Sequence, residues 1–301
     1  TRHVYQEMVR EIDKTSFLGY ETIETRSRVL ALLVAEKRQR EVEAGKEVEV
    51  ILDRTPFYGE SGGQLGDIGL LGDEEGGVLM EVKDTQKPLP SLTCHRGVLL
   101  KGTLLEGQVL LAQVDPSRRR AITHSHSATH LLHEALRQVL GDHVKQAGSL
   151  VAPDRLRFDF THFSPLTPHE LEEIEVLVNE KVWENLSVST EVIPLEEAIQ
   201  KGAMALFGEK YESVVRVVRM GEFSREVCGG IHVTSTGQIS FFKITQENGI
   251  AAGVRRIEAL TAREAFRHIR REEATLREIR EITKARPFQE ADRVRRLWEQ
   301  F

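Results

Sequence analysis

The segment His124-Ser125-His126-Ser127-Ala128-Thr129-His130 puts three imidazoles into a stretch that reads as helix. Positions four apart lie on one helical face, so His126 and His130 can aim ring nitrogens at a single ion, whereas His124 falls elsewhere. His133 follows one turn later on nearly the same face and reads as a packing or surface histidine. A second segment, Cys228-Gly229-Gly230-Ile231-His232, has paired glycines that let the backbone turn tightly enough for a thiol and an imidazole to converge. Taken singly, two such histidines are more often surface or satisfied core residues, and a cysteine at a glycine turn is as often buried and inert. Together they supply the nitrogen and sulfur donors that zinc prefers, in one expected domain. A shared zinc site of His126, His130, Cys228 and His232 is therefore the expectation.

The elements that must position these donors follow from periodicity and punctuation. Residues 1–19 read as a short amphipathic linker helix. Residues 20–115 break into short runs rich in Val, Ile, Leu and Thr, at Glu47–Leu52, 77–82, 97–100 and 108–114, separated by Gly, Pro and Asp, which suits a small antiparallel β-barrel. A helix should open at Asp115-Pro116, an acceptor side chain before proline at the first helical position, and stop at Gly141. Strand-like 155–160 comes next, then a helix at Thr167-Pro168 with Glu170 as the capping-box carboxylate. Further strands are expected at 188–193, 214–218, 238–245 and 253–258, making residues 116–260 an α/β two-layer domain. Residues 261–301 read as a charged C-terminal helical segment interrupted near Pro287. The fold class is α+β.

Composition sets the bounds. With 301 residues, 40% hydrophobic and 29% charged, the chain is long enough for two cored globular domains and too apolar for disorder. Two cysteines, Cys94 and Cys228, cannot form the framework of a small secreted fold, so a reducing compartment, the cytoplasm, is expected. No apolar run is long enough for a secretory signal or a membrane span. A net charge of −6 argues against a protein that coats nucleic acid indiscriminately, but Arg118-Arg119-Arg120, Arg255-Arg256 and an arginine-rich stretch over 263–296 form local basic clusters.

Longer motifs narrow the reading. The frame His126-Ser127-Ala128-Thr129-His130-Leu131-Leu132, then Gln146-Ala147-Gly148-Ser149-Leu150-Val151, then Leu156-Arg157-Phe158-Asp159-Phe160, then Cys228-Gly229-Gly230-Ile231-His232-Val233, resembles the editing domain of alanyl-tRNA synthetases. Upstream, residues 54–64, ending Glu60-Ser61-Gly62-Gly63-Gln64, resemble the glycine-rich barrel loop of that family, and residues 249–259 match downstream. Threonyl-tRNA synthetase editing domains share the histidine and cysteine frame, and the barrel loop and the Gln146 segment tilt the resemblance toward alanine. Ser125 and Ile231 depart from the family pattern, at positions that are not ligands.

The resemblance implies ester hydrolysis of seryl- and glycyl-tRNA(Ala), with zinc as cofactor and the tRNA(Ala) acceptor end as partner. The remaining synthetase domains would lie in cis, without membrane attachment, and a monomer is mildly favoured. It further implies Gln146 and Cys228 as catalytic residues and a pocket loop of Gly62, Gly63 and Gln64; Arg118, Arg119, Arg255 and Arg256 are expected to meet tRNA phosphates. Two other classes stay open: a generic zinc hydrolase, which lacks the usual His-Glu-x-x-His helix here, and a structural zinc module that binds tRNA without chemistry.

Overall fold

Alternating side chains build the first half of the chain. In the computed structural model, which describes residues 2–205 and 211–300, Val48, Val50 and Leu52 of strand Glu47–Leu52 face one apolar cluster, while Ile51 between them faces another. Six antiparallel strands run in the order Val109–Val114, Gly69–Gly72, Leu79–Leu89, Leu92–Lys101, Glu47–Leu52 and Glu24–Val34, and the last pairs back onto the first. The sheet is thereby a closed barrel with few unpaired edges, filled by Leu32, Val50, Phe57, Leu71, Met80 and Leu99. The N-terminal helix is shorter than the sequence suggests, Arg2–Met8, and its Tyr5 and Met8 cover Ile51, Leu92 and Cys94 on the outer wall. Beyond it the Thr15 hydroxyl donates to the Leu52 carbonyl at 2.9 Å. That bond helps draw the chain out as strand Ser16–Phe17 beside Arg54–Thr55.

The second half packs two helices on a sheet. Strands Gln146–Val151, Leu156–Thr161, Val254–Thr261 and Phe242–Ala251 form an antiparallel sheet in that order. Helices Pro116–Leu140 and Pro168–Trp183 bury Leu131, Leu132, Leu136, Ile174 and Val178 against its Phe158, Phe160, Phe242 and Ile257. Their ends are where the capping residues put them. Asp115 accepts from the Arg118 amide, Gly141 stops the first helix at φ +114°, and Thr167 and Glu170 close a capping box. A separate sheet, Val188–Pro194, Val214–Met220 and Ser224–Val227, leads into Cys228. The strand expected over 238–245 starts only at Phe242. Before it lies a 3₁₀ turn, Thr236–Ile239, tethered by the Thr236 hydroxyl, which donates to the Lys181 carbonyl and accepts from the Leu186 amide. Helices Ala262–Thr283 and Glu290–Trp298 follow, broken around Pro287. No helix among the described residues is long and apolar enough to cross a membrane.

A buried ion pair ties the halves together. Arg119, on the first turn of helix Pro116–Leu140, meets the fully buried Asp67 of the barrel at 2.6 Å. It also donates to the carbonyls of Gly19 and Pro56. Asp67 in turn accepts from the Tyr58 amide at 2.7 Å.

Two expectations follow. Arg119→Ala leaves the Asp67 carboxylate buried without its cation, a change that costs about 3–5 kcal/mol. Urea unfolding should show a loss of that size, and a loss below about 1 kcal/mol, the range of an exposed pair, would contradict this account of the junction. The second concerns His95, enclosed in the barrel between the Thr55 hydroxyl and the Val50 carbonyl. Burial pushes its pKa down to about 4 from 6.5, against a smaller upward pull from Val50. Above pH 6.5 both folded and unfolded chains hold it neutral; between 6.5 and 4 only the unfolded chain takes the proton, so stability falls as pH falls. The loss from this residue is on the order of 3 kcal/mol. Stability measured across that window should depend on pH less steeply, by about one proton, in His95→Gln.

Candidate metal centre

Helix Pro116–Leu140 presents His126 and His130 from its buried side, with ring centroids 5.3 Å apart. Opposite them, the chain leaves strand Ser224–Val227 and bends through Cys228-Gly229-Gly230-Ile231-His232. The bend brings His232 to centroid distances of 4.3 Å from His126 and 4.5 Å from His130. Cys228 Sγ lies 3.4 Å from His126 Nε2 and 3.3 Å from His232 Nε2. One donor atom from each of His126, His130, Cys228 and His232 falls within 4.8 Å of the others, so the four residues predicted from spacing do meet and could hold a metal ion. The two helical histidines are buried, and Cys228 and His232 are half-buried, so the cluster opens toward the glycine bend.

The bend requires its glycine. A Cβ on Gly230 would stand 2.0 Å from His126 Cε1 and 2.4 Å from Nδ1, inside any contact distance. Arg216 clamps the turn by donating to the carbonyls of Cys228 and Gly230 at 3.0 and 2.9 Å. Its guanidinium lies over the Tyr20 ring at 4.2 Å, and the Tyr20 hydroxyl donates to the Gly229 carbonyl. Ser127, between the two helical ligands, accepts from the Val233 amide and pairs with His232 Nδ1 at 3.1 Å.

The barrel contributes through its glycine-rich loop. Gly62 and Gly63 have φ of +58° and +83°, a region that favours glycine. A Cβ on Gly63 would sit 2.3 Å from the Ser149 hydroxyl. The loop docks on strand Gln146–Val151 through the Val151 amide, which donates to the Gly63 carbonyl at 2.7 Å. Docking carries Gln64 into the cluster, where its Oε1 accepts from the Ile231 amide at 3.0 Å and lies 2.7 Å from His126 Nδ1. Because the Ile231 amide can only donate, the oxygen faces it, and Nδ1 of His126 must then carry the proton. Its Nε2 keeps a lone pair toward Cys228.

Electrostatics favour neutral imidazoles. Burial holds His126 and His232 well below the ordinary imidazole range, reinforced by neighbouring rings and by Arg216. Burial lowers His130 as well, with Glu226 pulling the other way. Among the described residues, His130 Nδ1 is buried with no hydrogen-bond partner. An orphaned acceptor there, beside two other imidazoles and a thiol, suits a borderline-soft divalent ion.

The other expected residues are placed as follows. Gln146 donates to the Ser149 hydroxyl at 3.2 Å and, with His133 and Met204, lines a cavity of about 170 Å³. Arg118 lines a cleft of about 430 Å³ with Arg120, His124 and Arg263. Arg255 pairs with Glu247 and Arg256 with Asp159. Arg119 differs from the phosphate contact expected of it: each of its three side-chain nitrogens donates inside the protein, because Asp67 needs a buried cation. Sequence reasoning missed Arg216, Tyr20, Ser127 and Glu226. Only Glu226 left a signal, a carboxylate at an inward position of a short strand two residues before Cys228.

Gly230→Ala should therefore displace His126 and abolish stoichiometric metal binding while both domains remain folded. Metal content after dialysis, read beside circular dichroism, checks this; full retention of metal would show that the bend can relax.

Comparison with known proteins agrees with this architecture. The family described as "tRNA synthetases class II (A)" matches residues 1–118, and "Threonyl and Alanyl tRNA synthetase second additional domain" matches residues 215–258. The alanine–tRNA ligase of Acetivibrio thermocellus is 48% identical over 294 residues, covering 98% of this chain and 33% of the relative. That of Myxococcus xanthus is 47% identical over 296 residues, with the same coverage, and that of Geobacillus kaustophilus is 49% identical over 275 residues, covering 91% of this chain and 31% of the relative. Identity near one half over 91–98% of its length means that the chain belongs to the alanyl-tRNA synthetases, and it spans about a third of the length of the curated relatives it matches.

Proposed function

We propose that this chain edits tRNA(Ala), hydrolysing the ester of seryl- and glycyl-tRNA(Ala) at a zinc site formed by His126, His130, Cys228 and His232. The convergence of these four residues with Gln64 of the barrel loop carries the reading. The need for such a site is physical: a pocket shaped for the alanine methyl cannot exclude glycine by size and rejects the extra hydroxyl of serine by only a few kcal/mol, so discrimination calls for a second, hydrolytic step.

Bound zinc would supply Lewis acidity toward the ester carbonyl or a nearby water, or hold the substrate amine in register. The chain's own groups do the rest. Gln64 Nε2 is a buried donor with no hydrogen-bond partner among the described residues, available to an oxygen that gains negative charge beside the cluster. Cys228 lies on the more open side of the cluster, facing an incoming acceptor end, and the amide of Gln146 is a second donor on the strand that receives the barrel loop. Arg118, Arg255 and Arg256 supply positive charge for phosphates. The remaining synthetase domains would act in cis, in the cytoplasm.

Four protein ligands close a tetrahedral site, which favours a second reading: a structural zinc module that binds tRNA without chemistry. Incubation of the chain with seryl-tRNA(Ala), alanyl-tRNA(Ala) and a chelator separates the two. Editing requires release of serine, at least about tenfold faster than release of alanine, and its loss on chelation. Binding of both tRNAs with no release above the uncatalysed rate would leave the structural module.

A further inference from the structure

The alternation of strand Ser224–Val227 turns Ser224 and Glu226 inward, and the next inward position is Cys228. A carboxylate on the core side of a strand costs several kcal/mol unless it is paired. Glu226 is 6% exposed, and its two oxygens are divided between two imidazoles one helical turn apart. Oε1 lies 3.1 Å from His133 Nδ1, and Oε2 lies 3.8 Å from His130 Nε2. The carboxylate thus faces one edge of His130 at ion-pair distance while its hydrogen bond goes to His133, and the other nitrogen of His130, Nδ1, is buried without a partner among the described residues.

We propose that Glu226 is the positioning residue of the metal centre: anchored by its hydrogen bond to His133, its charge beside the His130 ring favours the proton on the nearer nitrogen, Nε2, and so leaves Nδ1 with its lone pair for the ion. A carboxylate behind a ligating imidazole fixes the tautomer and makes the ring a better donor. The three histidines then face three different groups: His126 is hydrogen-bonded to the Gln64 amide and His232 to the Ser127 hydroxyl, while His130 has a charged carboxylate beside it. Only the last adds negative charge next to a cation. One strand delivers both a ligand, Cys228, and the anion that tunes the ligand facing it. The inference rests on the metal-binding reading of the four residues and is independent of whether the site hydrolyses an ester.

Cobalt(II) serves as the probe, since its d–d and thiolate charge-transfer bands report ligand geometry without any tRNA. The whole chain, Glu226→Gln and Glu226→Ala are titrated with cobalt and competed with a chromophoric chelator. Glu226→Ala should bind about 10- to 100-fold more weakly and with altered d–d bands. Glu226→Gln, which keeps the shape and an accepting oxygen but not the charge, should lose about tenfold, so the test stands even if the alanine variant folds poorly. Affinities and spectra that superimpose on those of the unaltered chain overturn the inference, as does lowered thermal stability with unmoved bands. Failure of the unaltered chain to take up cobalt overturns the metal reading itself, and this inference with it.

Discussion

One side-chain oxygen, Oε1 of Gln64, holds the candidate centre in register. It accepts from the Ile231 amide and from His126 Nδ1, so the barrel loop, the histidine helix and the glycine bend share a single acceptor. Gln64 and both its partners are buried, where an unmade hydrogen bond costs about 1–3 kcal/mol. The same geometry decides which nitrogen of His126 carries the proton and therefore which one can bind a cation. Gln64 is itself brought there by Gly62 and Gly63, both at positive φ, and by the close approach of Gly63 to Ser149, which few other residues would allow.

The barrel is thus part of the site and not merely its neighbour. Arg119 and Asp67 fasten the two halves at the start of the histidine helix, and the Val151–Gly63 pairing fastens them again beside strand Gln146–Val151. With both contacts made, the helix that carries His126 and His130 can shift little relative to the loop that orients His126. Histidine helix, loop and bend form one mechanical unit, although the loop and the bend come from parts of the chain that different family descriptions cover.

Much of this was readable before any coordinates. Caps at Asp115 and Thr167 and stops at Gly141 and Pro287 located the helices because they act locally, through side chains a few residues away. The four converging residues were legible as candidate ligands because zinc chemistry restricts donors to a few residue types at turn or helix spacing. Arg119 was misjudged for the opposite reason: charge says nothing about burial, and its partner Asp67 lies 52 positions away. Arg216 and Tyr20 escaped notice since a guanidinium stacked on a ring has no spacing rule, only a spatial one. The strand expected from 238 began late because a single threonine, Thr236, tethers the turn before it to the neighbouring helix, a contact between distant segments.

The oxygen of Gln64 reaches across 62 positions to His126 and 167 to Ile231. Loop closure over such spans is slow relative to helix formation, because its entropy must be lost before any contact repays it. A nascent chain therefore passes through a stage in which the histidines are already displayed on their helix while the bend that completes the cluster has yet to be synthesised. Competence to hold a cation arrives late and all at once, as a report that distant parts of the polypeptide have found each other.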